Sequence, residues 1–205
     1  MLDRVPTNPV PGPLSDWSTI GRPARSARER ILAAATELFC LHGFATTGVD
    51  TIAAQSGAAK STLYKHFASK EKLIEAVLDA EGAAWRAWLF TRLSAVEGGP
   101  QARLLGLFDV LEDWFSDENY YGCPFINAIS EAPQLDERTR CLAGTHKAHL
   151  LTWLRSQALE LGRNPDEVAR VFVVLIDGAI VAAQATRDPI FARSARDAAE
   201  AYLAQ

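Results

Sequence analysis

Cysteine, β-type alternation and long apolar runs are all scarce in this chain, and each shortage narrows the possibilities. Three cysteines in 205 residues, Cys40, Cys123 and Cys141, lack both the number for a disulfide framework and the spacing for a metal site. Sparse, odd thiols of this kind fit a reducing compartment. No stretch approaches the roughly 20 uninterrupted apolar residues of a membrane span. The N-terminus has no charged-then-apolar signal pattern, so a cytoplasmic protein without a membrane partner is expected. There is no glycine-rich phosphate loop after a strand, no nucleophile elbow and no paired carboxylates in a cleft-like context. The expectation is therefore a protein that is not an enzyme and carries no cofactor. No alternating strand pattern and no internal repeat stands out, which leaves an all-α reading.

What is present is organised. At 48% hydrophobic residues the chain can bury a substantial core. Its net charge of −4 argues against a general nucleic-acid binder, but the charge is unevenly placed. Residues 1–72 carry 9 basic and 6 acidic side chains, whereas residues 73–205 carry 12 and 19. A basic head on an acidic body suits a DNA reader whose larger part stays off the phosphates. Pro6, Pro9, Pro11, Pro13 and Pro23 deny a helix to residues 1–24, which read as a flexible arm. Arg22, Arg25, Arg28 and Arg30 lie where that arm meets the first helix. They suit either phosphate and minor-groove contacts or a solvated basic linker.

The segment from residue 28 to 73 carries the strongest pattern. Ile31, Leu32, Ala35, Leu38, Phe39 and His42 recur at three- and four-residue spacings, one face of a helix over 28–42. Gly43 closes it, with Phe44 folding back as the hydrophobic cap contact. Thr47 reads as the next N-cap, with Asp50 in capping-box position, for a short helix over 49–56 that turns Val49, Ile52 and Ala53 inward. Gly57 supplies the sharp corner. On the third helix Leu63 and Phe67 share the buried face, leaving Lys60, Ser61, Tyr64 and Lys65 outward. Ser69 caps a fourth helix with Lys70 in its first turn. This is a helix-turn-helix, a unit that places its second helix in the DNA major groove.

The run Thr47, Ile52-Ala53, Gly57, Thr62-Leu63-Tyr64, His66-Phe67, Ser69-Lys70-Glu71 and Leu73 resembles the signature of the TetR family of transcriptional regulators. Three positions depart from the usual pattern: Ala58, Ala59 and Ser61. Ala59 lacks a capping hydroxyl, and Ser61 adds one that can reach a phosphate or base edge. The resemblance implies a repressor that binds palindromic double-stranded operator DNA as a homodimer and answers to a small-molecule effector. The candidate DNA-contacting set is Thr47, Lys60, Ser61, Thr62, Tyr64, Lys65, His66 and Lys70, with Thr47 and Lys70 on phosphates.

Beyond Lys70 almost everything reads helical, interrupted at Gly98-Gly99-Pro100, Tyr121 to Pro124, Pro133, Gly162 to Pro165 and Asp188-Pro189. Helices are expected over 70–96, 101–116, 124–131, 136–161, 165–186 and 189–203. The fold class is all-α: an N-terminal three-helix helix-turn-helix domain (25–72) and a larger C-terminal helical bundle for ligand binding and dimerisation (73–205). The resemblance implies that the last two helices build the dimer interface, with Val168, Phe172, Leu175, Ala179 and Ala183 as its candidate residues.

Aromatics crowd the body, including four of the five tryptophans. Most belong to a core, yet ligand pockets are also apolar and aromatic with a few polar groups fixing orientation. Trp85, Trp88, Trp114, Phe125, Asn127, His146, His149 and Trp153 form the candidate ligand-binding set. His146, His149 and Trp153 are expected on one helix face. Two histidines without a carboxylate or thiol cluster do not make a metal site. The stretch Gly122-Cys123, Phe125 and Asn127-Ala128 resembles a GC-x-F-x-N-A segment of a subset of TetR-like regulators, where it starts a short helix beside the inducer cavity. A helix N-terminus lowers a thiol pKa, so a thiol-based redox or electrophile sensor at Cys123 is one alternative. A ligand-independent DNA-binding protein is the other.

Overall fold

The computed structural model describes residues 26–131 and 137–205, and the expected contacts of Arg22, Arg25 and the N-terminal arm lie outside them. The described residues form α1 (Ala27–His42), α2 (Val49–Ser56), α3 (Lys60–His66), α4 (Lys70–Ser94), α5 (Pro100–Phe115), α6 (Pro124–Glu131), α7 (Glu137–Glu160), α8 (Pro165–Thr186) and α9 (Ile190–Leu203). No strand occurs among them.

Local chemistry sets most of these boundaries. Ser26 opens α1 with a full capping box: the Glu29 amide donates to Ser26 Oγ at 3.3 Å, and the Ser26 amide donates to Glu29 Oε2 at 2.8 Å. Phe39 and Phe44 stack at 4.9 Å across the end of that helix. Gly57 takes φ 64° and ψ 25°, the left-handed corner between α2 and α3 that favours glycine. Ser69 caps α4 by accepting from the Lys72 amide. Asn164 caps α8, with Pro165 in its first turn.

The start of α2 differs from expectation. Its N-cap is Gly48, which offers no side-chain bond, and Thr47 is buried one residue earlier. The Thr47 hydroxyl donates to the Gly43 carbonyl at 2.7 Å and lies 3.2 Å from that of Leu38. It ties the α1–α2 corner together rather than capping a helix. Asp50, released from the capping box, pairs with Lys60 at 2.7 Å.

In the head, Ile31, Ala35 and Phe39 of α1 bury against Ile52 of α2, Leu63 of α3 and Phe67. In the body, α5, α7, α8 and α9 enclose Leu104, Phe108, Leu111, Leu154, Phe172 and Ala192. Phe108 and Phe172 meet at 5.7 Å.

Helix α8 requires a second correction. Val168, Phe172, Ala179 and Ala183 are buried within the single chain, and Leu175 packs partly on the same core. The four buried residues face the chain's own core, while Leu175 keeps part of its surface open. The outward apolar positions are Val174, 71% exposed, and Val181, 48% exposed, with exposed Gly178 between them. Spacings of four and three put these residues on one stripe. By length and composition α8 is also the one described helix apolar enough to cross a membrane. That apolarity reflects two apolar faces, one packed and one open.

Burial separates Tyr64 of α3 from Phe67, which caps the end of that helix in an extended conformation instead of continuing it. Phe67→Ala, which empties a site only 4% exposed, should lower stability by about 3–5 kcal/mol. Tyr64→Ala, at 42% exposure, should leave the thermal midpoint nearly unchanged. Parallel thermal denaturation of the two variants checks the assignment of the α3 faces.

Candidate functional site

Two regions concentrate polar chemistry. On the head, α3 presents Ser61, Tyr64, Lys65 and His66 to solvent, while Thr62 is half-buried. Ala59 gives the helix no side-chain cap. Lys60 is exposed but engaged, its hydrogen bond and charge pairing with Asp50 raising the pKa of the ammonium. Lys70 Nζ donates to the Ala45 carbonyl at 3.2 Å, which anchors it to the α1–α2 corner. Two arginines of α1 brace the head: Arg30 Nε donates to the Ser56 carbonyl at 3.1 Å, and the Arg28 guanidinium lies 5.1 Å over the Phe67 ring.

The second region is a cavity in the body. Its walls include Trp85 and Glu81 of α4, Trp114 of α5, Phe125 of α6, His146 of α7 and Ile176 of α8. The cavity is about 20 Å³, counted as room for the centres of water molecules, little more than one water needs. Phe125 and His146 stack at 4.1 Å with their rings inclined by only 14°, and Trp85 lies 5.1 Å from His146. Burial, reinforced by Lys147 and then Arg86, lowers the His146 pKa to about 3, so the ring is neutral near pH 7. Lys147 pairs with Asp177 at 2.5 Å on the cavity wall.

Four of the eight expected ligand residues line this space: Trp85, Trp114, Phe125 and His146. The other four do not. Trp88 packs 6.2 Å from Trp114 with the Arg92 guanidinium over it. Asn127 is used structurally, donating to the Tyr121 carbonyl and accepting from Gln184. His149 is exposed and bonds the Thr145 carbonyl at 2.7 Å. Trp153 stands two turns along α7 from His146, against Phe90 at 6.1 Å. The expected common face fails because the inward stripe of α7 runs through His146, Leu150 and Leu154, and His149 falls off it. Sequence reading also missed Glu81, Lys147 and Asp177. The one available signal was a lone aspartate amid the apolar positions of α8.

Cys123 is buried in this wall. Burial raises its thiol pKa, against amide hydrogen bonds from Ile126 and Phe125 that lower it, so the expected helix-terminus activation is overridden. Burial likewise pushes Cys40 up to about 12, with Glu81 and Cys123 adding to the effect.

Cavity and head are joined by α6. Phe125 at its start approaches α4 at Gly82, where a Cβ would come within 2.9 Å of the Phe125 ring. Glu131 at its end reaches the α1–α2 corner, where Oε2 accepts from the Ala45 amide at 2.9 Å. A Cβ on Gly43 would lie 2.8 Å from that oxygen, so only glycine leaves room for the carboxylate.

A family model for bacterial regulatory proteins of the tetR family matches residues 31–77, and a tetracyclin repressor-like C-terminal domain model matches residues 100–199. The chain belongs to the TetR family. It is 29% identical over 170 residues to the Escherichia coli K12 transcriptional repressor NemR, covering 78% of this chain and 85% of NemR. It is 30% identical over 117 residues to an uncharacterised HTH-type regulator from the lacX 3′ region of Lactococcus lactis. That match takes in 57% of this chain and 60% of the relative. A crystal structure of a TetR-family transcriptional regulator from Streptomyces coelicolor superposes with a TM-score of 0.79 at 25% identity, covering 85% of this chain and 93% of that one. This TetR-family chain is thus a helix-turn-helix transcriptional regulator and not an enzyme.

The depressed His146 pKa carries a pH consequence. Below its unfolded pKa of about 6.5 the unfolded chain takes up a proton that the folded chain refuses until about 3. The stability linked to His146 is therefore complete above pH 6.5 and is lost as pH falls from 6.5 towards 3. His146→Gln should make the decline of unfolding free energy over this window shallower, by up to a few kcal/mol at its acid end. Urea denaturation at a series of pH values measures it.

Proposed function

We propose that this TetR-family regulator is a homodimeric repressor, released from palindromic operator DNA by a small apolar or aromatic effector in the cavity. The carrying observation is the physical connection between the two regions. The helix whose start follows α3, namely α4, supplies Trp85 to the cavity wall, and α6 runs from that wall to Ala45. Residues 25–72 act as the reading head, residues 73–205 as the sensing and dimerising body, and the site of action is the cytoplasm. The GC-x-F-x-N-A segment marks the start of α6: buried Cys123, cavity-lining Phe125, and Asn127 fixing the turn through Tyr121.

In the DNA-bound dimer the two α3 helices meet successive major grooves about 34–36 Å apart or an equivalent multiple. The cavity holds little more than one water, so an effector favours a conformation in which a wall has moved. Phe125 and Trp85 are the walls whose helices reach the head. Displacing them alters the spacing of the two heads and weakens DNA binding through linkage. Operator then weakens effector binding by the same factor, typically about 5- to 150-fold. A thiol sensor at Cys123 would need a thiolate, which burial opposes.

The dimer surface is the stripe Val174, Gly178 and Val181 on α8, where the glycine permits close helix approach. Val174→Asp changes an exposed side chain, so the monomer should keep its fold while light scattering reports half the mass and tight operator binding is lost. A variant that stays dimeric places the interface elsewhere.

An operator selected from random-sequence DNA supplies the direct test of the head. Tyr64→Ala and Lys65→Ala should weaken binding to it by about 1–3 kcal/mol where a base is contacted, and less for a phosphate. Unchanged affinity in both variants removes α3 as the reading helix.

A further inference from the structure

The cavity holds a polar group that the apolar reading leaves unused. Trp85 lines it, is only 7% exposed, and its indole N–H meets no acceptor in the protein. An indole nitrogen only donates. A buried donor left without a partner costs about 1–3 kcal/mol, so such a group calls for an occupant that accepts. His146 is another ring in the wall that carries an N–H. Arg86 Nη1, which also can only donate, faces His146 Nδ1 at 3.5 Å and leaves the ring proton on Nε2. Protonation of the ring is opposed by burial and by the nearby cations, so it offers no full positive charge to bind an anion.

Fixed charges narrow the choice further. The wall bears Glu81, Lys147 and Asp177, and the lysine is already matched by Asp177 at 2.5 Å. Lys147 is the one cation among the lining residues, so the wall offers an anionic occupant no uncommitted positive charge. Shape adds the last constraint. The space lies among Trp85, Trp114 and the Phe125–His146 pair, an aromatic lining that favours an aromatic ring packed on its faces and edges.

We infer that the effector is an uncharged, planar aromatic carbonyl compound whose oxygen accepts a hydrogen bond from the Trp85 indole N–H. This rests on the effector-cavity reading above and narrows it to a ligand class.

Three probes on one ring frame test it: indane, 1-indanone and indane-1-carboxylate, titrated calorimetrically into the full-length protein. 1-Indanone should bind about 3- to 10-fold more tightly than indane, the worth of one added hydrogen bond. The carboxylate should bind more weakly than either. In Trp85→Phe, which keeps a ring and loses the donor, the ratio of 1-indanone to indane affinity should fall to about 1, whatever the reshaped wall does to either affinity alone. Equal binding of indane and 1-indanone to the unaltered protein, or a preference that survives in Trp85→Phe, overturns the inference and leaves the cavity reading intact. Tightest binding by the carboxylate also overturns it. If no probe binds, the cavity reading falls as well. Should Trp85→Phe fail to fold, the infrared carbonyl band of 1-indanone bound to the unaltered protein decides. A shift to lower wavenumber supports the hydrogen bond, and a band as in apolar solvent refutes it.

Discussion

One continuous helix constrains everything else. α4 runs 25 residues from Lys70 to Ser94, on the order of 37 Å, without proline or a break in its ladder. Its first turn follows Phe67, the last buried anchor of the head, and its middle carries Glu81, Gly82 and Trp85 into the cavity wall. An intact α-helix does not absorb a displacement along its length; it passes the displacement on as tilt or translation. Head and cavity are therefore mechanically one object along α4, with α6 as a second strut fixed at Gly82 and at Ala45. The two struts converge on the α1–α2 corner, where Lys70 of α4 and Glu131 of α6 both bond the backbone of Ala45.

The legibility of the fold in the sequence follows from its punctuation. Helices α2, α6 and α8 have the boundaries that the sequence implies, because Gly57, Pro124 and Pro165 mark ends with residues of restricted or special backbone geometry. Only the N-cap of α2 is displaced by one position, because Thr47 and Gly48 both suit that role. The sequence does not reveal that the Thr47 hydroxyl is needed by the Gly43 carbonyl instead.

The sites were harder to see for a different reason. Period-based reading assigns a face only when a helix has one apolar side. α8 has two, so Val168 and Val174 look equivalent until packing buries one and exposes the other. On α7 the positions of His146 and His149 differ by about 60° around the axis, enough to put one ring in the cavity and the other in solvent. Lys147 and Asp177 are 30 residues apart, and only the packing of α7 on α8 brings them together. Such pairs are products of tertiary structure and leave no local trace.

The ion pair between Lys60 and Asp50 bears on how a DNA reader of this kind searches. Attraction to arbitrary sequence comes mainly from cations that displace counterions from phosphates. Lys60 brings an opposing carboxylate with it, and Lys70 is already bonded to the corner carbonyl of Ala45. Lys60 therefore approaches a duplex with its charge already matched, whereas Lys70 keeps its charge and is only held in position. For a DNA reader in general, weaker attraction to arbitrary sequence leaves discrimination to the contacts made once the grooves match. A chromosome offers any such reader a vast excess of competing sites, and each cation that arrives already paired would reduce the number of copies they sequester.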